Sequence, residues 1–399
     1  MNHRRENSKR TYVIAGAAAT ALAAAVILLP HANASPDRAE GPATLTAHAA
    51  ATLGSGLSSE LGGKTAGWYF DRDSERLVMN VVDEETAREV RARGARARVV
   101  ENSRAELSAA ADTLADEASI PGTAWSADPR TNRVVVLADR TVTGADLATL
   151  RRTADAMSGT VTVRRSRGEF TPFHGDDGAE GGDSTDPSAD APGPGDGGSG
   201  SGSDGADAAP VGGDAIFGGG SRCSLGFNVT LDGAPAFLTA GHCGNASATW
   251  TSDQAGATAL GTVAESRFPE ADFALVAYDD TAAEAPSAVD LQDGTTREIT
   301  SAAEASVGME VQRSGSTTGL SDGTVTGLDA TVNYGNGDIV NGLIQTDVCA
   351  EPGDSGGPMF AGDAAVGLTS GGSGDCTQGG ETFFQPVTAA LEATGAEIG

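Results

Sequence analysis

Residues 211–399 are predicted to form an all-β barrel or sandwich, preceded by a smaller α/β unit at about 64–168, and three observations in the 399-residue chain carry this reading. First, the C-terminal region is written as short apolar runs separated by Gly, Asn, Asp and Ser, with almost no helical periodicity. Second, 64–168 mixes strand-like runs with helix-cap signals. Third, charge divides the chain. Residues 1–173 are nearly neutral (net +1), 174–210 hold nine acidic and no basic residues, and 211–399 are net −21 with no lysine. The total of −29 excludes a grip on nucleic acid or an anionic membrane by charge. Glycine is abundant (55 residues) but follows no Gly-x-y period, so a collagen-like fibre is excluded.

In chain order, His3, Arg4, Arg5, Lys9 and Arg10 precede an uncharged Ala-rich run from Tyr12 to Leu29. Pro30 breaks it, and Ala32-Asn33-Ala34 has the small-x-small pattern of a cleavage site. Residues 1–34 are therefore expected to be a removable secretory signal rather than an anchor, and the product extracellular. Residues 35–173 follow as an upstream region with its folded core at about 64–168. There Gly67–Phe70 and Leu77–Val82 read as paired strands around a charged turn. Asp83 caps a helix that Gly94 stops, and Ser103-Arg104-Ala105-Glu106 is a capping box before an Ala/Leu helix. A hairpin at Asp128-Pro129-Arg130, a strand at 133–137, a helix near 143–157 and a strand at 161–165 complete the unit. It holds no cysteine and no catalytic cluster, and His48 lies upstream of it. Residues 174–210, almost all Gly, Ser, Asp, Ala and Pro, cannot bury enough apolar area to offset ordering and read as a linker.

The strands of the last region are expected at 226–231, 236–240, 272–278, 323–328, 342–346 and 365–369, with one closing helix at 386–393. All four cysteines, Cys223, Cys243, Cys349 and Cys376, lie here, an even number that fits two disulfides in an exported protein; three connectivities are possible. Gaps of 20, 106 and 27 residues do not suit a zinc site.

Chemistry follows from elimination. Of five histidines, only His242, in Thr239-Ala240-Gly241-His242-Cys243, falls in the β-rich region, where imidazole could shuttle protons near neutral pH. Ser355 sits between glycines in Gly353-Asp354-Ser355-Gly356-Gly357-Pro358, which lets a substrate approach and backbone N–H groups turn toward an oxyanion. The sequence also satisfies G-x-S-x-G, but that elbow needs a following helix and a histidine after the serine. Neither is present. The remaining order is histidine, acid, serine. Asp272 opens an apolar strand that would carry it to a buried edge, whereas Asp279 and Asp280 look like a solvated turn.

With these motifs the region 211–399 resembles the chymotrypsin-fold serine proteases of bacteria, in the streptogrisin and alpha-lytic protease branch. The run Cys349-Ala350-Glu351-Pro352-Gly353-Asp354-Ser355, the run Gly367–Gly374 and the run Thr382–Thr388 carry the likeness further. Residues 64–168 are more loosely similar to the pro-regions of that branch. The resemblance implies two six-stranded antiparallel β-barrels with the active site between them. It implies Ser355 as nucleophile, His242 as general base and acid, Asp272 as its orienting carboxylate with Ser370 bonded to that carboxylate, and an oxyanion hole from the Gly353 and Ser355 amides. It also implies disulfides Cys223–Cys243 and Cys349–Cys376, and a structural ion pair of Arg313 with Asp354.

The expected substrate-binding residues are Ala350, Glu351, Pro352, Ser370, Gly371, Gly372 and Thr382. Trypsin-like selectivity needs an acid six residues before the nucleophile, and that position is Cys349. A glutamate-preferring pocket would want a second histidine in the domain. Large apolar residues before the scissile bond are therefore expected, with no metal or cofactor, in a monomer acting on polypeptides. The pro-region is expected to assist folding and to inhibit. A first self-cut is expected after Phe170 or Phe173, followed by trimming of the linker to a start near Val211. The reading from another class is a catalytically inactive protease-fold binding module, against which the intact His242, Asp272 and Ser355 set argues.

Overall fold

Strand and helix signals in the upstream region resolve into two small layers. Thr65–Asp71 and Arg76–Val81 pair antiparallel around the charged turn, and Arg96–Val99 adds in parallel to the second. Asp83 caps the helix Glu84–Ala92 by accepting the Thr86 amide at 2.7 Å, and Gly94 ends it at φ +89°. The helix Ala47–Leu61, which the sequence reading left outside the folded core, buries Ala50 and Leu57 against Leu77, Met79 and Val81. The second layer carries the capping box: the Ser103 side chain accepts from the Glu106 amide, and the Glu106 carboxylate accepts from the Ser103 amide. That helix, Arg104–Ala118, and Gly144–Ala156 cover the strands Thr123–Asp128, Arg133–Ala138 and Val161–Arg165.

These are the elements of a computed structural model in which residues 44–157, 159–173, 175–176 and 209–399 are described. The expected signal at 1–34, with His3 and His31, lies outside the described residues, as do His174 and nearly all of the 174–210 linker.

From Ala215 on, the short apolar runs build two β-barrels. The first runs in the order Phe227–Leu231, Ala234–Thr239, Phe273–Tyr278, Ala259–Arg267, Thr249–Thr251, Ala215–Gly218 and Ser221–Ser224. The second runs Glu310–Arg313, Pro358–Ala361, Ala364–Gly372, Thr382–Pro386, Ile339–Thr346 and Ser321–Asn333, and a pairing between its first and last strands closes it. The C-terminal helix Val387–Thr394 buries Val387 and Ala390 under the first barrel.

The upstream unit does not stand apart. Thr123–Asp128 pairs antiparallel with the edge of Ser321–Asn333, so three strands of the upstream unit extend the sheet of the second barrel. A shared core seals that seam, with Ala124, Val135, Leu137 and Phe170 from one side and Ala330, Val332, Val340, Leu343 and Phe383 from the other. Burying Phe170 edge-on against Phe383 (ring centroids 5.6 Å apart) is worth about 2–3 kcal/mol. The first layer docks through the Phe70 amide, which donates to the Val307 carbonyl (3.0 Å), and through an Arg72–Glu310 ion pair.

Candidate active site

Three elements converge between the barrels. The short helix Gly241–Ala246 follows the buried strand Ala234–Thr239 and carries His242; the Cys223–Cys243 disulfide pins its neighbour. Asp272 immediately precedes Phe273–Tyr278, where the Gln385 side-chain oxygen accepts its backbone amide at 2.8 Å. Ser355 lies in the turn before Pro358–Ala361, and its carbonyl accepts the Ser224 amide at 2.7 Å.

Residues separated by more than a hundred positions thus meet at bonding distance. Ser355 Oγ is 2.7 Å from His242 Nε2, and His242 Nδ1 is 2.9 Å from Asp272 Oδ2. The His242 backbone amide also donates to Asp272 Oδ1 at 2.9 Å, so carboxylate and imidazole are held in one orientation. Asp272 and Ser355 are fully buried. A carboxylate in such a place is tolerated because an imidazole N–H and a backbone N–H both bond it. Asp279 and Asp280 are exposed beyond the end of the same strand.

Asp354 and Arg313 form a fully buried ion pair, Nη1 to Oδ2 3.2 Å. Burial pulls the guanidinium's pKa down and the Asp354 carboxylate opposes that pull. The other terminal nitrogen, Nη2, donates to Thr318 Oγ1, to Ser321 Oγ (2.7 Å) and to the Cys349 carbonyl (2.9 Å). The Asp354 carboxylate in turn accepts the amides of Thr317 (2.9 Å), Thr318 (3.2 Å) and Glu351 (2.9 Å). One buried acid therefore ties together the loop that presents Gly353.

The chain's own upstream region enters the cleft. Thr171–Pro172 pairs antiparallel with Gly371 and Gly372. The Phe173 amide donates to the Ser370 carbonyl (3.2 Å), and the Gly353 amide donates to the Phe173 carbonyl (2.5 Å). The Phe173 side chain is buried, and a Cβ at Gly372 would come within 2.9 Å of its ring tip. Beyond it, Gly175–Asp176 pairs with Ser221–Arg222. Thr171–Phe173 is thus held on the second barrel and Gly175–Asp176 on the first, with the Phe173 carbonyl on the amide of Gly353, two residues before Ser355.

Other expected residues fall around this segment. Ala350 is buried, the Pro352 carbonyl accepts Thr317 Oγ1 (2.8 Å), and the Glu351 carboxylate accepts the Cys376 amide (3.0 Å). Thr382 Oγ1 donates to the Val348 carbonyl at 2.6 Å. Cys349 and Cys376 are joined in the second disulfide. The Ser370 hydroxyl differs from expectation: it meets the Tyr334 hydroxyl at 3.1 Å, while Asp272 is served by His242. Only the Ser370 carbonyl faces the bound segment. Cys223, His242 and Cys243 lie close enough to hold a metal, but the two sulfurs are bonded to each other and both imidazole nitrogens are engaged.

Sequence reasoning missed three contributors. Tyr334 is half-buried with its hydroxyl on that of Ser370, and desolvation there pushes its phenol above the usual range. Phe268 packs edge-on to the His242 ring, centroids 5.6 Å apart. Gln385 holds Asp272. Aromatic residues make up only 5% of the chain, so Phe268 and Tyr334, standing outside any apolar run, were the available signal.

The sequence matches the alpha-lytic protease pro N-terminal family over residues 39–100, the alpha-lytic protease prodomain over 102–163 and the trypsin family over 220–393. Streptogrisin-D of Streptomyces griseus is 51% identical over 400 residues, covering 100% of this chain and 92% of its own. The chain belongs to the streptogrisin family of serine proteases. It is a serine endopeptidase with a pro-region. Streptogrisin-A of the same organism is 44% identical over 300 residues, 74% of this chain and 86% of its own. Glutamyl endopeptidase 2, again from Streptomyces griseus, is 47% identical over 188 residues, 47% of this chain and 98% of its own. Of these three names only the last carries a preference, and for this streptogrisin-type chain the pocket must be argued from its own residues. Among the described residues no helix is long and apolar enough to cross a membrane.

Proposed function

We propose that the protein is a secreted zymogen whose mature form cleaves polypeptides after large apolar residues, and whose first substrate is its own chain at the bond following Phe173. Ser355 Oγ attacks the peptide carbonyl while its proton passes to His242 Nε2. Asp272 holds the imidazolium that forms, and the proton then goes to the leaving amine. Water repeats the sequence on the acyl-enzyme and frees Ser355. The Gly353 and Ser355 amides hold the oxyanion. The pro-region templates the second barrel through the shared sheet and blocks the cleft until it leaves.

The observation that carries the pocket reading is Phe173 itself, buried with its carbonyl on the Gly353 amide. The groups that could instead attract a charged side chain are committed elsewhere. Cys349, where trypsin-like enzymes need an acid, is in a disulfide, and Thr382 Oγ1 is bonded to a carbonyl. The domain has no histidine besides His242, so a substrate glutamate would be buried without an imidazole to meet it. Phe170 is the weaker candidate for the cut. It packs on Phe383, its amide donates to the buried Asp139 carboxylate (2.8 Å), and the Gly353 amide reaches Phe173 instead.

Peptides identical except for the residue before the scissile bond test this reading. The kcat/KM for Phe, Tyr or Leu should exceed that for Glu or Arg by roughly 10²–10³, because an unpaired buried charge costs several kcal/mol. A preference for Glu over Phe would overturn the pocket while leaving the mechanism.

A second prediction concerns Gly353, which sits at φ +100°; a Cβ there would lie 2.3 Å from Thr317 Oγ1 and 2.5 Å from Arg222 Nη2. Gly353→Ala should displace the amide and lower kcat on the Phe peptide by roughly 10²–10³, with KM changed far less. An unchanged kcat would remove Gly353 from the oxyanion hole.

A further inference from the structure

We infer that activation takes a single cut, after Phe173, and that the acidic segment 174–210 stays on the mature enzyme as its N-terminal extension. This rests on the apolar pocket proposed above and goes beyond it, because it replaces the expected trimming to Val211 with a longer mature chain.

The two ends of the segment carry the argument. At its start, the Phe173 carbonyl accepts the Gly353 amide in the loop that carries Ser355, with Thr171–Pro172 paired on one side and Gly175–Asp176 on the other. At its end, the chain is already built into the protease body. The Pro210 carbonyl accepts Asn228 Nδ2 at 2.8 Å, the Gly212 amide donates to Ala288 at 2.9 Å and the Gly212 carbonyl accepts the Asp290 amide at 2.8 Å. The Val211 amide donates to the Asp214 carboxylate at 2.8 Å as an ordinary peptide N–H. Asp354 is neutralised by Arg313, so no free amine at Val211 is required to complete the site. Nothing in the fold therefore calls for a cut before Val211.

Between those ends the enzyme has nothing to recognise. Residues 174–210 contain no Phe, Tyr, Trp, Leu, Ile, Met or Val, only His, Gly, Asp, Glu, Ala, Ser, Thr and Pro. A pocket shaped for a large apolar side chain gains no burial from any of them, and proline at 210 is a poor residue before a scissile bond. The segment is spared by its composition. The mature enzyme then runs from His174, and nine further carboxylates take its net charge from −21 to −30.

The test uses the full chain, purified and left to process itself, followed by intact mass and N-terminal sequencing over time. One stable product beginning at His174 is expected, with the Ser355→Ala chain uncut. Gly198→Phe places a suitable residue in the segment and should yield a second, shorter product beginning at Ser199. A parent product beginning at Val211, with the Phe preference in the peptide series intact, overturns retention alone. A product beginning at Gly181, after Glu180, together with turnover of Glu peptides, overturns the pocket reading as well. A Gly198→Phe chain that is never shortened overturns the composition argument and the inference with it.

Discussion

Ser355→Ala should lower kcat/KM on the Phe peptide by roughly 10⁵–10⁶ and leave every molecule joined across Phe173 and His174. The size of the effect follows from what the hydroxyl does. In the proposed mechanism its oxygen forms the acyl bond. Thr239, the nearest hydroxyl residue in sequence to His242, is turned away to donate to the Ser224 carbonyl at 3.0 Å. His242 and Asp272 would remain in place, since their bonds to each other and to Gln385 do not involve Ser355. What survives is the polarisation of the carbonyl by backbone amides, which gives only a residual acceleration. The uncut chain reports on the same atom independently of any peptide, because the Phe173 carbonyl already sits on the Gly353 amide. Retention of turnover within a hundredfold of the parent, or processing of the variant at Phe173 in the purified state, would remove Ser355 from the chemistry.

How much of this was legible depends on the range of the interaction. Elements set by neighbours in sequence could be read directly: the Asp83 cap, the Ser103/Glu106 capping box and the apolar strand after Asp272 each need only a few consecutive residues. The residues that meet between the barrels, His242, Asp272 and Ser355, were legible for another reason. One histidine in the C-terminal region and one serine flanked by glycines leave few ways to assemble a nucleophile and a base, so elimination does what periodicity cannot. Long-range pairing was not legible. Thr171–Pro172 is too short to alternate, and its register against Gly371 and Gly372 is fixed by Phe170 and Phe173 finding their places about 200 residues away. The strand Thr123–Asp128 looked like half of an isolated hairpin because its second neighbour, Ser321–Asn333, lies in the other domain. The Ser370 hydroxyl shows the same limit at the scale of one side chain. Its position beside the site was readable, but its rotamer is set by Tyr334, whose own placement depends on the fold.

Asp354→Asn should cost about 3–5 kcal/mol, because it strands the Arg313 guanidinium in a place with no access to water. The substitution keeps the shape and removes the charge. It also turns one oxygen that accepts from Thr318 Oγ1 and the Glu351 amide, or one that accepts from the Thr317 and Thr318 amides, into a donor facing donors. Measured as thermal unfolding in the Ser355→Ala chain, where processing cannot intervene, the loss should appear as a Tm lowered by roughly 6–20 °C. Arg313→Met combined with Asp354→Asn should recover part of that loss, since no lone charge is then left buried. A single variant melting within a degree or two of its parent would mean that the loop is held without the pair. The outcome also bears on how the proposed zymogen would be kept inactive. If the pair alone sets the loop, the oxyanion amide is formed before any cut, as its bond to Phe173 in the uncut chain requires. On the proposed reading, cleavage then makes nothing new in the site; it releases the segment that occupies it, and latency would last as long as the pro-region strands remain in the sheet of the second barrel.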